Sequence, residues 1–402
     1  MSGAKPVRIG MIGAGFLAQT RARCYAQLGA GRGRMVAVAA RTPESARAYA
    51  QKHRLPRWFS DYRSLLALEE LDVVDLCIPN HLHREVTEAA AAAGKHVICT
   101  KPLTAYTGQD LPANVPDREV SERNRRQMLK TVSREAHAMV EAADRAGVQL
   151  MYGENWIYSP SITKATALIQ ESKGVILEMR GGECHSGSHS PYSMVWRYTG
   201  GGALLRLGAH PIGAMLYLKE LEGRSRLGHP IRPVSVSAEV ADLTRIEGFG
   251  EAEKSWIATG WKDVETWAAV TLTFEDGAAG IVWASDGVLG GMESTLQVFL
   301  SNARLKCNLS PHDLVQAYAP DSSVFAGQYL MEKLETKSGW STPIPDEDWS
   351  AGHLSMCRDF ISAVAEDRPA RSQGRLGAQV VRVVYAAYCS ASEGRRVALQ
   401  EM

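Results

Sequence analysis

The opening of the chain constrains its fold most. An apolar run, Val7–Ile12, passes directly into Gly13-Ala14-Gly15-Phe16-Leu17-Ala18, and a helical pattern follows to about residue 28. A second apolar run over 35–40 completes a strand–GxGxxA–helix–strand unit, the arrangement of a dinucleotide-binding fold. Each position has a physical task. Gly13 permits the tight turn, Gly15 lets a pyrophosphate approach the backbone, and Ala18 lets the helix pack closely on the sheet. The helix start at Phe16 and Leu17 then offers free N–H groups and a positive dipole end to the phosphates.

The tip of the second strand selects the nucleotide. NAD-binding chains usually carry an acid there for the ribose 2′-hydroxyl. Here the chain reads Ala39-Ala40-Arg41-Thr42-Pro43. A cation and a hydroxyl stand where a 2′-phosphate would be paired, which favours NADP over NAD.

The alternation continues. A buried-strand run over 73–78 leads into Pro79-Asn80-His81-Leu82-His83 and a helix over 84–93; the strand run 96–100 ends in Lys101-Pro102-Leu103. Open parallel sheets bind ligands beyond the carboxyl ends of their strands. Asn80, His81 and Lys101 sit at such ends, and Pro79, Asn80, His83 and Lys101 join Gly13, Gly15, Phe16, Leu17 and Arg41 as candidate cofactor-binding residues. Residues 104–131 break the rhythm. They are polar, carry Pro112 and Pro116, and read as a solvated loop or lid feeding a helix over about 120–146. A strand over 148–152 closes a Rossmann domain at residues 1–154.

From residue 155 the periodicity changes. A helix over 161–171 is followed by strand runs at 174–181, 233–245, 266–275, 278–285, 295–301 and 304–309, with turn signals such as Glu275-Asp276-Gly277 between neighbours. The pattern predicts an α+β domain, 155–402, on a large, open, mostly antiparallel sheet, making the chain α/β overall. The tail is helical by apolar spacing at 352–368 and 374–394. Within this half, GGGALLRLGAHP at 200–211 sets Arg206 and His210 four residues apart, on one face of a helix.

Five segments, GAGFLA, IPNHLH, TKPL at 100–103, GGGALLRLGAH at 200–210 and the closing AAYCSASEGRRV, together resemble the Gfo/Idh/MocA family of sugar and cyclitol oxidoreductases. The resemblance runs from residue 7 to 397, apart from the insertion after Leu103. It implies a Rossmann domain plus an open-sheet substrate domain, NAD or NADP, hydride transfer at a sugar carbon, and a homodimer or homotetramer. The lysine of the family's Glu-Lys-Pro motif falls on Lys101, and the histidine of its Asp-x-x-x-His helix on His210. Two positions depart from the pattern: Thr100 replaces the glutamate and Arg206 the aspartate.

Oxidising a secondary alcohol needs a base for the hydroxyl proton and a cation near the developing alkoxide. Histidine is the side chain that ordinarily titrates near neutral pH, so His210 is the expected acid/base and Lys101 its electrostatic partner. Arg206 admits two accounts. It pairs with a carboxylate of an acidic sugar or glycoside, or with a protein carboxylate such as Glu154 or Glu183. Asn155, Tyr158, His185, Trp196, Arg197, Arg206, His210 and Lys101 form the expected substrate-binding set, the aromatics by stacking on a sugar face. Glu183-Cys184-His185 with His189 has zinc-like spacing, but the surrounding Gly and Ser make a loop, and no metal is expected.

Composition narrows the partners. Forty-five Lys and Arg balance 44 Asp and Glu, giving no reason to expect nucleic acid or an anionic membrane. Seven scattered cysteines without a CxxC read as reduced thiols, and neither a signal peptide nor an apolar span is legible, so a cytoplasmic location is expected. Two other functions fit the same motifs. One is glycoside processing with tightly held NAD that oxidises transiently; the other is a non-catalytic dinucleotide sensor, against which the retention of Lys101 and His210 argues.

Overall fold

The computed structural model describes residues 5–188, 190–251, 254–310 and 314–401. The chain groups into two compact units, neither of them contiguous. The first comprises residues 1–105, 132–158 and 352–379, and the second 106–131, 159–351 and 380–402.

The first unit is built on six parallel strands: β1 (Val7–Ile12), β2 (Gly33–Ala39), β3 (Arg57–Phe59), β4 (Val73–Leu76), β5 (His96–Thr100) and β6 (Leu150–Gly153). Their order is β3-β2-β1-β4-β5-β6, so the winding reverses between β1 and β4, the crevice where such sheets take nucleotides. Strands β1, β4 and β5 are buried almost throughout, as parallel strands covered on both faces must be. Four crossover helices follow: α1 (Phe16–Leu28), α2 (Pro43–His53), α3 (Tyr62–Leu66) and α4 (His83–Ala92). Local chemistry starts α2: the Thr42 hydroxyl accepts the Ser45 N–H, and Pro43 supplies a preset first turn.

The late helix His353–Ala365 also belongs to this unit. It lies against α1, where the buried Arg21 guanidinium approaches Met356 Sδ at 3.8 Å and Cys357 Sγ at 3.7 Å. Arg21 is held in the interior by Asp75 on β4, Nε to Oδ2 3.5 Å, and the Tyr25 hydroxyl donates to the same oxygen at 2.6 Å.

The second unit holds a seven-stranded sheet from β7 (Ile176–Cys184), β8 (Pro233–Ala241), β9 (Trp267–Phe274), β10 (Ala279–Ser285), β11 (Glu293–Leu300) and β12 (Arg304–Asn308), with the short strands β13 (Ala317–Ala319) and β14 (Gly339–Ser341) paired separately and β15 (Val397–Ala398) at the edge. The order is β12-β11-β7-β10-β9-β8-β15. Every pair is antiparallel except β7 with β10. Strands β9 and β11 alternate buried and accessible positions, the mark of a sheet covered on one face. The helix Ala209–Leu227 packs against β7 and β10.

The sequence reading draws one cut after residue 154, whereas the structure interleaves the chain. The cause is tertiary: α1 needs a cover for its Arg21 face, and a helix 335 residues away supplies it. The insertion is likewise part of the second unit. Arg197 donates from Nε to Asp117 at 2.6 Å and also to the Val115 carbonyl, and Arg126 grips Glu393 with two bonds of 2.6 and 2.9 Å. The Tyr385 hydroxyl accepts the Tyr106 N–H and donates to the Gly200 carbonyl, both at 2.6 Å. A segment read as a solvated loop is thus fastened at three points. Its helix is also split, into Asp117–Ser121 and Arg125–Ala146.

Candidate functional site

In the first unit, the tip of β1 forms a phosphate cradle. Gly13 has φ +111°, and a Cβ there would lie 2.1 Å from the Cys77 carbonyl oxygen, so only glycine fits where β1 and β4 diverge. Gly15, by contrast, faces open space, with nothing within 4 Å of where its Cβ would be. It caps α1, whose first turn carries neither an acid nor a side-chain cap. The N–H groups of that turn are therefore offered outward, as an anion needs. Phe16 is exposed beside them and Leu17 half-buried.

At the tip of β2, Arg41 is exposed and makes no ion pair among the described residues. The Thr42 hydroxyl is engaged in capping α2, so of the two groups read as a 2′-phosphate site only Arg41 is uncommitted. Pro79 is exposed and Asn80 half-buried beyond β4, and Lys101 is half-buried just beyond β5. Asn155, buried, follows β6. These residues fit a dinucleotide: a cradle open at Gly15, a helix start bare of acids, and polar side chains along the same edge.

His83 requires a correction. It is fully buried, its Nε2 lies 3.0 Å from the Ile78 carbonyl, and its Nδ1 lies 3.0 and 3.2 Å from the carbonyls of Pro102 and Leu103. Burial pushes the imidazole down, against the carbonyl contacts that raise it. Its ring ties the β4 and β5 tips together and is not presented to a cofactor. Tyr158 is also withdrawn. Its hydroxyl donates to Asp359 and accepts the Ser372 N–H, both at 2.9 Å, and the ring is buried under Arg371.

In the second unit, the three glycines 200–202 are explained by Glu265. This buried carboxylate accepts the Gly202 N–H at 3.0 Å, the Leu204 N–H at 2.9 Å and the Tyr388 hydroxyl at 2.8 Å. A Cβ at Gly202 would stand 1.9 Å from the Glu265 carbonyl oxygen. Burial raises the Glu265 carboxyl, and those hydrogen bonds pull against the rise. The segment that follows, Leu204–Gly208, is a π-helical turn before the α-helix Ala209–Leu227. Such turns are uncommon and recur at functional sites. The i, i+4 reading assumed a regular helix; Arg206 instead lies on the π turn, and His210 is buried in the first turn of the α-helix.

Arg206 forms an ion pair with Asp286, just beyond β10, with its guanidinium over the Trp261 ring, 5.0 Å from the centroid. The partner is a protein carboxylate, but one the sequence reading did not name. His185 lies one strand over: β7 and β10 run parallel, with Cys184 opposite Ser285, so both tips open at the same edge. His185 Nδ1 is 3.7 Å from Asp286 Oδ1 and accepts the Gly187 N–H at 2.8 Å, which leaves the ring proton of the neutral imidazole on Nε2. Burial raises the Asp286 carboxyl, while Arg206, and Lys333 more weakly, favour its ionised form.

Two expected substrate residues are structural. Trp196 is 2 % exposed, packed between the Arg125 guanidinium (4.4 Å) and the Tyr388 ring (5.0 Å). Arg197 is engaged by the insertion through Asp117 and Val115. His189, part of the zinc-like spacing, lies outside the described residues. Among the described residues no group of three or more His, Cys, Asp or Glu side chains is arranged to hold a metal, and no helix is long and apolar enough to cross a membrane.

Comparison with known proteins agrees with this architecture. Residues 7–115 match the oxidoreductase family with an NAD-binding Rossmann fold, and residues 162–306 match the GFO/IDH/MocA C-terminal domain. The chain belongs to the Gfo/Idh/MocA oxidoreductase family, and the relatives it matches include levoglucosan, D-apiose and myo-inositol dehydrogenases. It is 28% identical over 383 residues to the levoglucosan dehydrogenase of Pseudarthrobacter phenanthrenivorans, covering 90% of each chain. It is 25% identical to the D-apiose dehydrogenase of Paraburkholderia graminis, covering 98% of this chain and 89% of that one. In fold it resembles GenD2 from gentamicin A biosynthesis, solved in complex with NAD, with a TM-score of 0.78 at 23% identity over 99% of this chain and 97% of that one.

Proposed function

We propose that the protein is an NAD(P)-dependent dehydrogenase acting on a secondary hydroxyl of a neutral sugar, cyclitol or glycoside. The observation that carries this reading is the edge of the first sheet, where the open cradle at Gly13 and Gly15 stands in one row of strand tips with Lys101. Family membership supports the class of reaction.

A bound nicotinamide would supply the hydride acceptor for the carbinol carbon. In the second unit His210 removes the hydroxyl proton; in the first, the Lys101 ammonium supplies positive charge that favours an alkoxide. Gly15 and the N–H groups at Phe16 and Leu17 hold the pyrophosphate, and Pro79 and Asn80 line the nucleotide. Arg41 pairs a 2′-phosphate, so NADP(H) is bound more tightly than NAD(H). In the second unit His185 hydrogen-bonds the sugar; in the first, Asn155 beyond β6 is a further substrate contact. The internal pairing of Arg206 with Asp286 removes the basis for an acidic substrate. The reading extends to a cytoplasmic homodimer or homotetramer. Seven cysteines in no disulfide favour the reducing compartment, and the exposed Leu177 and Ile281 on β7 and β10 offer apolar surface for assembly.

The test is His210→Asn. Loss of a general base lowers turnover by about 10²–10⁴-fold, while NAD(P)H affinity stays as in the wild type. Near-normal turnover of the variant on the best neutral substrate would overturn the assignment.

A further inference from the structure

Arg206 stands one turn before the proposed base, where this family's pattern carries an acid, and the structure shows what meets its charge. Asp286 is 1 % exposed and its backbone N–H is fixed to the Thr266 carbonyl at 2.8 Å. One carboxylate oxygen takes the Arg206 guanidinium. The other, Oδ1, is buried without a hydrogen-bond partner among the described residues. His185 Nδ1, 3.7 Å from it, already accepts the Gly187 N–H. The Trp261 indole N–H beneath Arg206 is committed to the Ala258 carbonyl at 2.8 Å.

We propose that Asp286 is a specificity-determining residue. As the internal counter-ion of Arg206, it reserves this part of the second unit for uncharged, hydroxyl-bearing substrates. The inference rests on the dehydrogenase reading above and deepens it. An arginine alone in a partly buried site would select a carboxylate or phosphate in two-pronged fashion. With Asp286 in place the charge of that guanidinium is already met, through one of its nitrogens. A substrate carboxylate would have to displace Asp286 or sit beside a second anion, and like charges set together in a site of low polarity repel. A hydroxyl meets no such penalty, because it carries no charge and needs no counter-ion. The same pairing explains how a helix position that carries an acid elsewhere in the family tolerates a cation here. Here the acid that meets this cation stands just beyond β10.

The experiment compares the wild type, Asp286→Asn and the charge-exchanged double variant Arg206→Asp with Asp286→Arg. Each is assayed for NAD(P)-linked oxidation of matched neutral and carboxylated sugars, glucose with glucuronate and their methyl glycosides. Melting temperature is recorded with and without glucuronate. The wild type should favour the neutral member of each pair by about tenfold or more in kcat/KM, the scale on which one close charge contact discriminates. Asp286→Asn should move that ratio toward the carboxylated member by about the same factor and gain thermal stability from glucuronate, which the wild type should not. The exchanged variant should keep the neutral preference. A wild-type preference for glucuronate, or an Asp286→Asn ratio and glucuronate response matching the wild type, overturns the proposal. If nucleotide binds but no sugar is oxidised by any of the three, the dehydrogenase reading fails. The glucuronate effect on melting temperature then still decides the inference by itself. If Asp286→Asn does not fold without ligand, refolding in glucuronate but not in glucose supports the counter-ion role, and rescue by neither overturns it.

Discussion

Removing the Glu265 carboxylate should do more than remove one side chain. It collects the Gly202 N–H, the Leu204 N–H and the Tyr388 hydroxyl, all buried. In Glu265→Ala those three donors lose their acceptor. At roughly 1–3 kcal/mol for each buried donor left unsatisfied, and allowing for partial relaxation, the expected cost is about 4 kcal/mol. Glu265→Gln is the control. Its amide oxygen can occupy the Oε1 position, which serves all three donors, and only the Oε2 contact to Gly202 at 3.0 Å is lost. The expected cost is about 1 kcal/mol. The pH response adds a second readout. Burial raises the folded-state pKa of Glu265 above its ordinary 4.5. A carboxyl shifted that way contributes stability below the unfolded pKa and loses it as pH rises through the folded one. The stability of the wild type minus that of Glu265→Gln should therefore fall as pH climbs from 4.5. Urea denaturation of the full chain across that range measures both quantities. Equal losses in the Ala and Gln variants, or a difference curve that is flat in pH, would refute the reasoning.

Other consequences are equally direct. Asp75→Ala leaves the Arg21 guanidinium and Tyr25 hydroxyl buried without their partner, and denaturation should register a loss of about 3–5 kcal/mol. Gly13→Ala drives a methyl into the Cys77 carbonyl, so nucleotide titration should show binding abolished or the chain misfolded. Arg41→Ala should raise the KM for NADP by about tenfold and leave that for NAD unchanged, since only a 2′-phosphate needs the guanidinium; equal effects on both would remove Arg41 from the site.

Local chemistry made the first unit legible. Gly13, Gly15 and the apolar run before them are close in sequence, and the strand tips at Pro79, Asn80 and Lys101 follow from alternation alone. His83 was misjudged because neighbourhood in sequence does not say which way a ring turns: it turns inward, to carbonyls that become adjacent only when β4 and β5 pair. Tyr158 and Trp196 are aromatic side chains whose period fits either a sugar platform or a core, and packing decided for the core. Asp286 and Glu265 were missed outright. Arg206 and Asp286 are 80 residues apart, and the one trace in sequence is an acid between an apolar strand and a glycine, Ala284-Ser285-Asp286-Gly287. The unit boundaries were hidden for the same reason, since the helix that covers α1 lies near the other end of the chain.

The central claim is hydride transfer between a sugar carbon and a nicotinamide. Neutral sugars and cyclitols deuterated at each carbinol carbon in turn should be incubated with the protein and either nucleotide, and the reduced nucleotide recovered for mass spectrometry. Deuterium in the dihydronicotinamide from one labelled position of one substrate is the predicted result, and it is lost in His210→Asn. Absence of nucleotide binding, or of label from every position and substrate, would contradict the account.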